Sequence, residues 1–359
     1  MKETKFKNTE IGMIPEEWEV KKLGTVFDIG NGRDYKHLNT GKIPVYGTGG
    51  LMTYVNEYLY DGETVCIGRK GTINMPQYHN GKIWTVDTLF YTYNFRKTDV
   101  KFLYYLAQII DWNAYNTATG VPSLTSRNVS NILVSLPPLH EQHRIASALT
   151  SIDNLISSLG KLIEKKKNIK QGAMQQLLTG RTCLKGFSEP WVEKKLGELF
   201  EIGNGKDYKN LKSGPIPVFG TGGLMTYVNE YLYDGETICI GRKGTIDKPQ
   251  YHKGKIWTVD TLFYTYRFKD INVKYLYYLS TTINWNEYNT ATGVPSLTSQ
   301  NILKIKVVLP LEEEQQAIAT ILTKMDDEIT ALEAKKVKYE AIKQGMMQQL
   351  LTGKIRLVS

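Results

Sequence analysis

The chain has 359 residues, 41% of them hydrophobic and 23% charged, with a formal net charge of +9. That length accommodates two domains with separate cores, and the composition is that of a folded protein rather than a disordered or fibrous one. The apolar runs, such as FLYYLAQII at 102–110, are too short to span a bilayer, and the opening MKETKFKNTE lacks the apolar centre of a secretory signal. Three cysteines form neither a C-x-x-C pair nor a disulfide framework, so a reducing, cytoplasmic setting is expected. The positive charge favours a polyanionic partner without identifying it.

In chain order, residues 16–137 are rich in Gly, Tyr, Thr and short β-branched runs, with turn signals at GNGRDY, YGTGG, YDGET, GRKGT and HNGK. KIWTVDTLFYTY at 82–93 predicts strands, VKFLYYLAQIIDW at 100–112 a helix, and NILVSLP at 131–137 a last strand halted by Pro137 and Pro138. From Leu139 the period becomes helical. Ile145, Ile152 and Leu159 stand seven apart, interleaved by Leu149, Ile156 and Ile163, as in a coiled-coil seam. The linker GRTCLKGFSEP at 180–190 follows.

The chain then repeats itself. GTGGLMTYVNEYLYDGET occurs at 47–64 and letter for letter at 220–237, an offset of 173 that holds without a gap from Trp18/Trp191 to Gly180/Gly353. The second heptad ladder uses Ile318, Met325 and Leu332 with Leu322 and Ile329. A helix over 139–179 would be roughly 60 Å long, whereas the linker reaches at most about 40 Å. The second helix is therefore expected to run back along the first. The expected fold is α+β: two similar globular target-recognition domains separated by two long helices that form an antiparallel coiled coil, with pseudo-twofold symmetry. The boundaries are 1–137 for the first domain, 138–188 for the first helical region and linker, 189–310 for the second domain and 311–359 for the second helical region. The tail GKIRLVS at 353–359 is expected to pack on the first domain.

The helix openings LPPLHEQHRIASAL and LPLEEEQQAIATIL, the MQQLLTG endings and the KGFSEPW junction resemble the specificity subunit of type I restriction–modification systems. The resemblance covers essentially the whole chain and departs from the usual pattern in the near-identity of its two recognition domains. It implies a subunit that binds double-stranded DNA, recruits two modification (methyltransferase) subunits, and is completed by restriction subunits acting as ATP-dependent translocase and nuclease. S-adenosylmethionine, ATP and Mg are then expected only in the partners, and no cofactor in this chain.

The residues themselves argue against catalysis. LPPLHEQ lacks the flanking polar and aromatic groups that clamp a flipped adenine. Neither GNG at 30–32 nor GTGG at 47–50 opens a convincing nucleotide-binding βα unit, and no Walker phosphate loop occurs. Asp61, Glu63 and Lys70 hint at a nuclease, but Val65 stands where its lysine is needed; His79 and His252 have no metal-ligand neighbours, and Cys66 reads as core. The tryptophans Trp18, Trp84 and Trp112 and their copies read as core. A self-sufficient DNA-modifying enzyme and a coiled-coil scaffold that reads no DNA stand as the rival readings.

DNA readers need cations and amides for phosphates and forked side chains for base edges. The Gly-flanked turns carrying Arg69 and Lys70, and Arg242 and Lys243, fit either use. Arg33 with Lys36, and Lys206 with Lys209, suit phosphate, since lysine lacks the planar fork of arginine. Thr48 and Thr221 are small readers on the GTGG turns, Gln77 and Gln250 can pair with adenine, and Tyr78 and Tyr251 can stack or pack. TGVPSLTS at 119–126 and 292–299 reads as capping and turning the backbone.

Overall fold

The computed structural model describes residues 4–180 and 184–358 and divides into two compact units, one of 1–160 with 334–359 and one of 161–333. Met1, Cys183 and Ser359, with the ends of the leader, linker and tail they belong to, lie outside the described residues.

The first unit opens with the hairpin β1 (Phe6–Thr9) and β2 (Gly12–Pro15) and a short strand β3 (Glu19–Lys22). Six strands follow: β4 (Asp28–Asn31), β5 (Thr40–Gly47), β6 (Gly50–Val55), β7 (Tyr60–Gly68), β8 (Gln77–Thr85) and β9 (Leu89–Tyr93). They form one sheet in the order β4-β9-β7-β8-β5-β6, antiparallel except where β5 meets β8 through Val45–Trp84 and Tyr46–Thr85. Next come α1 (Val100–Ile109), α2 (Ser126–Asn131) and β10 (Leu133–Leu136), which pairs back on β3. The long helix α3 (Leu139–Leu177) belongs to this unit as far as Gly160.

The second unit repeats the plan with β11 (Val192–Lys195), the short α4 (Leu196–Leu199), β12 (Glu201–Asn204), β13 (Ile216–Gly220), β14 (Gly223–Val228), β15 (Tyr233–Gly241), β16 (Gln250–Thr258) and β17 (Leu262–Tyr266). It ends with α5 (Val273–Ser280), α6 (Ser299–Lys304), β18 (Lys306–Leu309) and α7 (Glu312–Leu350), the last belonging to the first unit from Ala334 onward. Its sheet order, β12-β17-β15-β16-β13-β14, matches the first.

Several expectations need correction. YDGET and HNGK are not turns but mid-strand positions, where Gly62 faces Gly81 across the β7–β8 ladder. Both adopt positive φ, +139° and +100°, which side-chain-bearing residues resist, and the ladder runs through the pair without a register shift. The strand stretch 82–93 is split by a turn at Val86–Thr88. The helix from residue 100 stops at Ile109, where Ile110 turns extended, and Trp112 instead starts a short 3-10 turn capped by Asp111. The six-residue α2 was not anticipated, although Thr125 does cap it by accepting a hydrogen bond from the Asn128 amide.

Each core lies between sheet and helices. In the first unit Val65, Ile67 and Phe90 of the sheet pack with Phe102 and Leu106 of α1, and with Ile145 and Leu149 of α3. Full burial of such side chains contributes about 1.5–3 kcal/mol each before entropic costs. Trp18 and Trp112 are fully buried, Trp84 nearly so, and Cys66 is a core residue whose thiol is pushed up to about 12 by burial. Trp191 departs from its copy and is only partly buried.

Within each unit the two long helices pair antiparallel. In the first, Lys343 of α7 bonds Asp153 of α3 at 2.7 Å and Arg356, beyond α7, reaches Glu141 near the start of α3 at 2.7 Å. In the second, Lys166 meets Glu328 at 2.6 Å and Lys170 meets Asp326. Ladder residues Ile145, Leu149, Ile152 and Leu159 are buried, as are Ile163, Ile318, Leu322 and Ile329, whereas Ile156, Met325 and Leu332 are half-buried. The tail packs on the first unit as expected, with Leu357 against its core.

Candidate nucleic-acid interface

Four loops of each unit converge on the turn between the last two long strands of the sheet. In the first unit the reach of residues 31–38 is fixed from both sides: the Arg33 amide donates to the Thr85 carbonyl at 2.8 Å, and the Trp84 indole donates to the Arg33 carbonyl at 2.8 Å. Gly32 makes this approach possible, since a Cβ there would stand 1.9 Å from the Val86 carbonyl oxygen. The Arg69–Lys70 turn sits on the other side of the same strand junction. Its Arg69 amide donates to the Thr88 carbonyl at 2.7 Å, and the Gly71 amide to Pro122 at 2.9 Å, which brings in residues 116–124.

The GTGG turn joining β5 and β6 completes the cluster. Gln77 donates from Nε2 to the Gly47 carbonyl at 2.9 Å and to that of Thr48 at 3.4 Å. A Cβ on Gly71 would lie 3.8 Å from the Thr48 hydroxyl, so the basic turn and the GTGG turn are neighbours. One depression is lined by Lys36, Thr48, Met52, Asp87 and Thr88, and an adjoining one by Arg69, Lys70, Asp87, Thr88, Val121 and Ser123. Asp87 and Thr88 belong to both, so the loops share one groove.

The predicted residues divide accordingly. Lys36, Arg69 and Lys70 line this groove and are exposed, Thr48 lines it half-buried, and Arg33 is exposed but lines neither depression. Arg69 lies over the Phe90 ring, 5.9 Å from its centroid, and its Nη1 donates to the Asp87 carbonyl at 3.4 Å. Gln77 is engaged within the fold: its amide holds the turn and its Oε1 contacts His79 Nε2 at 3.2 Å. Its amide is spent as an anchor for the GTGG turn. Tyr78 packs against the core, hydrogen-bonds Glu63 and faces Tyr104, and burial raises its phenol above the usual range. Glu63, one of the three groups that hinted at a nuclease, is thus a structural partner of Tyr78.

His79 stacks on Tyr46 with ring centroids 3.8 Å apart, and His252 stacks on Phe219 at the same distance. The stack needs the ring and not the hydroxyl, which accounts for Tyr in one copy and Phe in the other. Burial lowers both imidazoles to about 4, so they stay neutral at physiological pH.

The second unit reproduces the cluster bond for bond. Lys206 donates its amide to Thr258 at 2.8 Å and accepts from Trp257 at 2.8 Å; Arg242 and Gly244 bond Thr261 and Pro295, both at 2.8 Å. Gln250 donates to Gly220 at 2.9 Å, with Thr221 beside Gly244, and Lys209 and Lys243 are exposed like their counterparts. Tyr251 bonds Glu236 at 2.7 Å, an interaction that holds the carboxyl below its usual range. Asp87, Thr88, Leu51, Met52 and Val121 were missed by sequence reasoning. The β8–β9 turn carries no Gly or Pro, and the apolar pair Leu51–Met52 carries no polar group to mark a site. Among the described residues no group of His, Cys, Asp or Glu forms a metal cluster, and no helix is long and apolar enough to cross a membrane.

A sheet that exists to hold four loops in register, present twice with a helical pair, defines a duplicated recognition protein. The family model for the type I restriction modification DNA specificity domain matches residues 15–170 and again 188–342, and the chain belongs to that family. The type I restriction enzyme MjaVIII specificity subunit of Methanocaldococcus jannaschii is 26% identical over 433 residues, covering 99% of this chain and 97% of the relative. The EcoprrI specificity subunit of Escherichia coli is 26% identical over 248 residues, 64% of this chain and 61% of its own. The crystal structure of a type I restriction–modification S subunit from M. genitalium has the same fold, with a TM-score of 0.69 at 19% identity over 93% of this chain and 96% of that one. DNA sequence recognition through two recognition domains is the role of this chain.

Proposed function

We propose that each unit reads one half of a bipartite site on double-stranded DNA, and that the two near-identical readers make the target an interrupted palindrome. B-DNA has local twofold axes, so like domains related by such an axis meet the same bases on opposite strands. The observation that supports this most directly is the bond-for-bond repetition of the loop cluster, from Gln77 and Arg69 to Gln250 and Arg242. Arg33, Lys36, Lys206 and Lys209 hold phosphates, Arg69, Lys70 and their copies hold phosphates or read guanine, and the Thr48 and Thr221 turns approach the base edges. In this reading the helices set the spacer and carry the docking faces for two modification subunits, which restriction subunits complete. The chain catalyses nothing itself; S-adenosylmethionine, ATP and Mg act in the partners, and the complex works in the cytoplasm.

Selection from a random duplex library, with the full chain and its modification subunits, tests the reading. The expected product is one short half-site, repeated in inverted orientation at a fixed gap. Two unrelated half-sites would overturn the palindrome, and absence of any selected sequence would favour a scaffold. Methyl transfer by the purified chain alone would favour the self-sufficient enzyme.

A further inference from the structure

We propose that Met52 and Met225, each with the leucine before it, contact the C5-methyl group of a thymine and so specify an A·T pair in each half-site. This rests on the DNA-recognition reading and deepens it. Leu51 and Met52 are 52% and 55% exposed, and Leu224 and Met225 are 52% and 54% exposed. In the first unit Leu51 and Met52 open to water beside Lys36 and Thr48 in the groove. The thymine methyl is the apolar group that a DNA major groove offers at its base edges. Asp34 and Asp87 line the same groove, which fits a surface that meets bases rather than phosphates alone.

The position of the methionine is built into the backbone. Pairing between β5 and β6 jumps from Val45–Thr53 to Tyr46–Leu51, so Met52 is the extra residue of a bulge. A bulge re-aims a side chain and bends its strand. The thioether then lies across Gly47: a Cβ there would stand 2.7 Å from Met52 Sδ and 3.6 Å from a Val86 methyl. Gln77 fixes the same Gly47 carbonyl. The second unit has the same jump, from Val218–Thr226 to Phe219–Leu224, and the same cover of Gly220 by Met225, with a 2.6 Å separation. Methionine suits the task, being polarisable and adaptable against a methyl group.

The test begins with the site selected by the unaltered full chain. Each thymine is replaced in turn, symmetrically in both half-sites, by uracil, which pairs identically but lacks the methyl. One position is expected to weaken binding about fourfold per half-site, the factor that corresponds to about 0.8 kcal/mol for a buried methyl. The M52A/M225A variant is expected to bind more weakly and to be indifferent to that replacement. A half-site without thymine, a uracil series with no sensitive position, or a variant as sensitive as the parent would each overturn the proposal. The uracil series uses the unaltered chain, so it decides even if the variant misfolds. A library that returns no common sequence at all sinks the recognition reading itself, which separates the two failures.

Discussion

Glu141 shows how much one side chain holds in the first unit. It is fully buried, and its carboxylate takes both Nε and Nη2 of Arg356 at 2.7 Å, the Trp18 indole at 3.1 Å and the Leu357 amide at 3.2 Å. The tail is thereby bound to the start of α3. Glu314 occupies the corresponding place in the second unit, 2% exposed, and accepts only the Leu184 amide at 3.3 Å among the described residues. The residue aligned with Arg356 is Cys183, outside those residues. Removing one partner of a buried ion pair leaves an uncompensated charge, so Arg356→Ala is expected to destabilise the first unit by about 3–5 kcal/mol in denaturant titration. Glu141→Gln should likewise lower the melting temperature, since it weakens the pairing with Arg356.

His79 and His252 carry a pH signature at the same scale. Their folded-state value of about 4 lies below the ordinary 6.5, so the unfolded chain binds more protons between those limits. Stability is therefore full above about pH 6.5, falls as pH drops toward 4, and is not reduced further by these groups below that. Melting temperatures from pH 7 to pH 4 should fall less steeply in His79→Phe/His252→Phe than in the parent; equal slopes would refute the assignment.

At the scale of elements, the facing glycines of β7 and β8 are a backbone device rather than a packing one. A Cβ at Gly81 meets nothing within 4 Å, yet its φ of +100° strains any residue with a side chain. Gly81→Ala is expected to cost about 1–3 kcal/mol by chemical denaturation, despite the open space. The glycine pair matters to the site because β8 carries Gln77 at one end and Trp84 with Thr85 at the other. One end anchors the GTGG turn, and the other receives the Arg33 loop. The helices are elements of another kind, with lysine–carboxylate pairs beside an apolar seam in each unit, Lys343 with Asp153 and Lys170 with Asp326. The tyrosines Tyr105 and Tyr278 bond the same aspartates at 2.8 and 2.7 Å, which ties each helical pair to its own sheet-bearing domain.

For the whole molecule, the proposed ruler role of the helices has a direct consequence. Deleting one heptad from both α3 and α7 shortens each by roughly 10 Å, or about three base pairs of DNA. The recognised site should keep its half-sites and lose about that many spacer pairs, read by methylome sequencing in cells carrying the variant. An unchanged spacer in a folded deletion variant would refute the ruler.

The amino-acid sequence by itself determined the duplication, the α+β class, the long helices with their seam and the family. These are one-dimensional signals: a fixed offset of 173, a seven-residue apolar period and junction motifs such as LLTG and GFSEPW. It also located the basic turns at Arg69 and Arg242, because glycine on both sides of paired cations marks an exposed turn. Only the tertiary structure decided which polar groups are spent internally. Gln77 looks like a base reader until the Gly47 carbonyl is found 2.9 Å from its amide, and Tyr78 looks like a stacking platform until it is found against the core. Leu51 and Met52 carry no groove signal in the sequence, and only the bulge and the side-chain-free Gly47 place them there. Hydrogen-bond partners 30 residues away and a one-residue slip in a ladder leave no trace in local periodicity, which is why those assignments needed the fold.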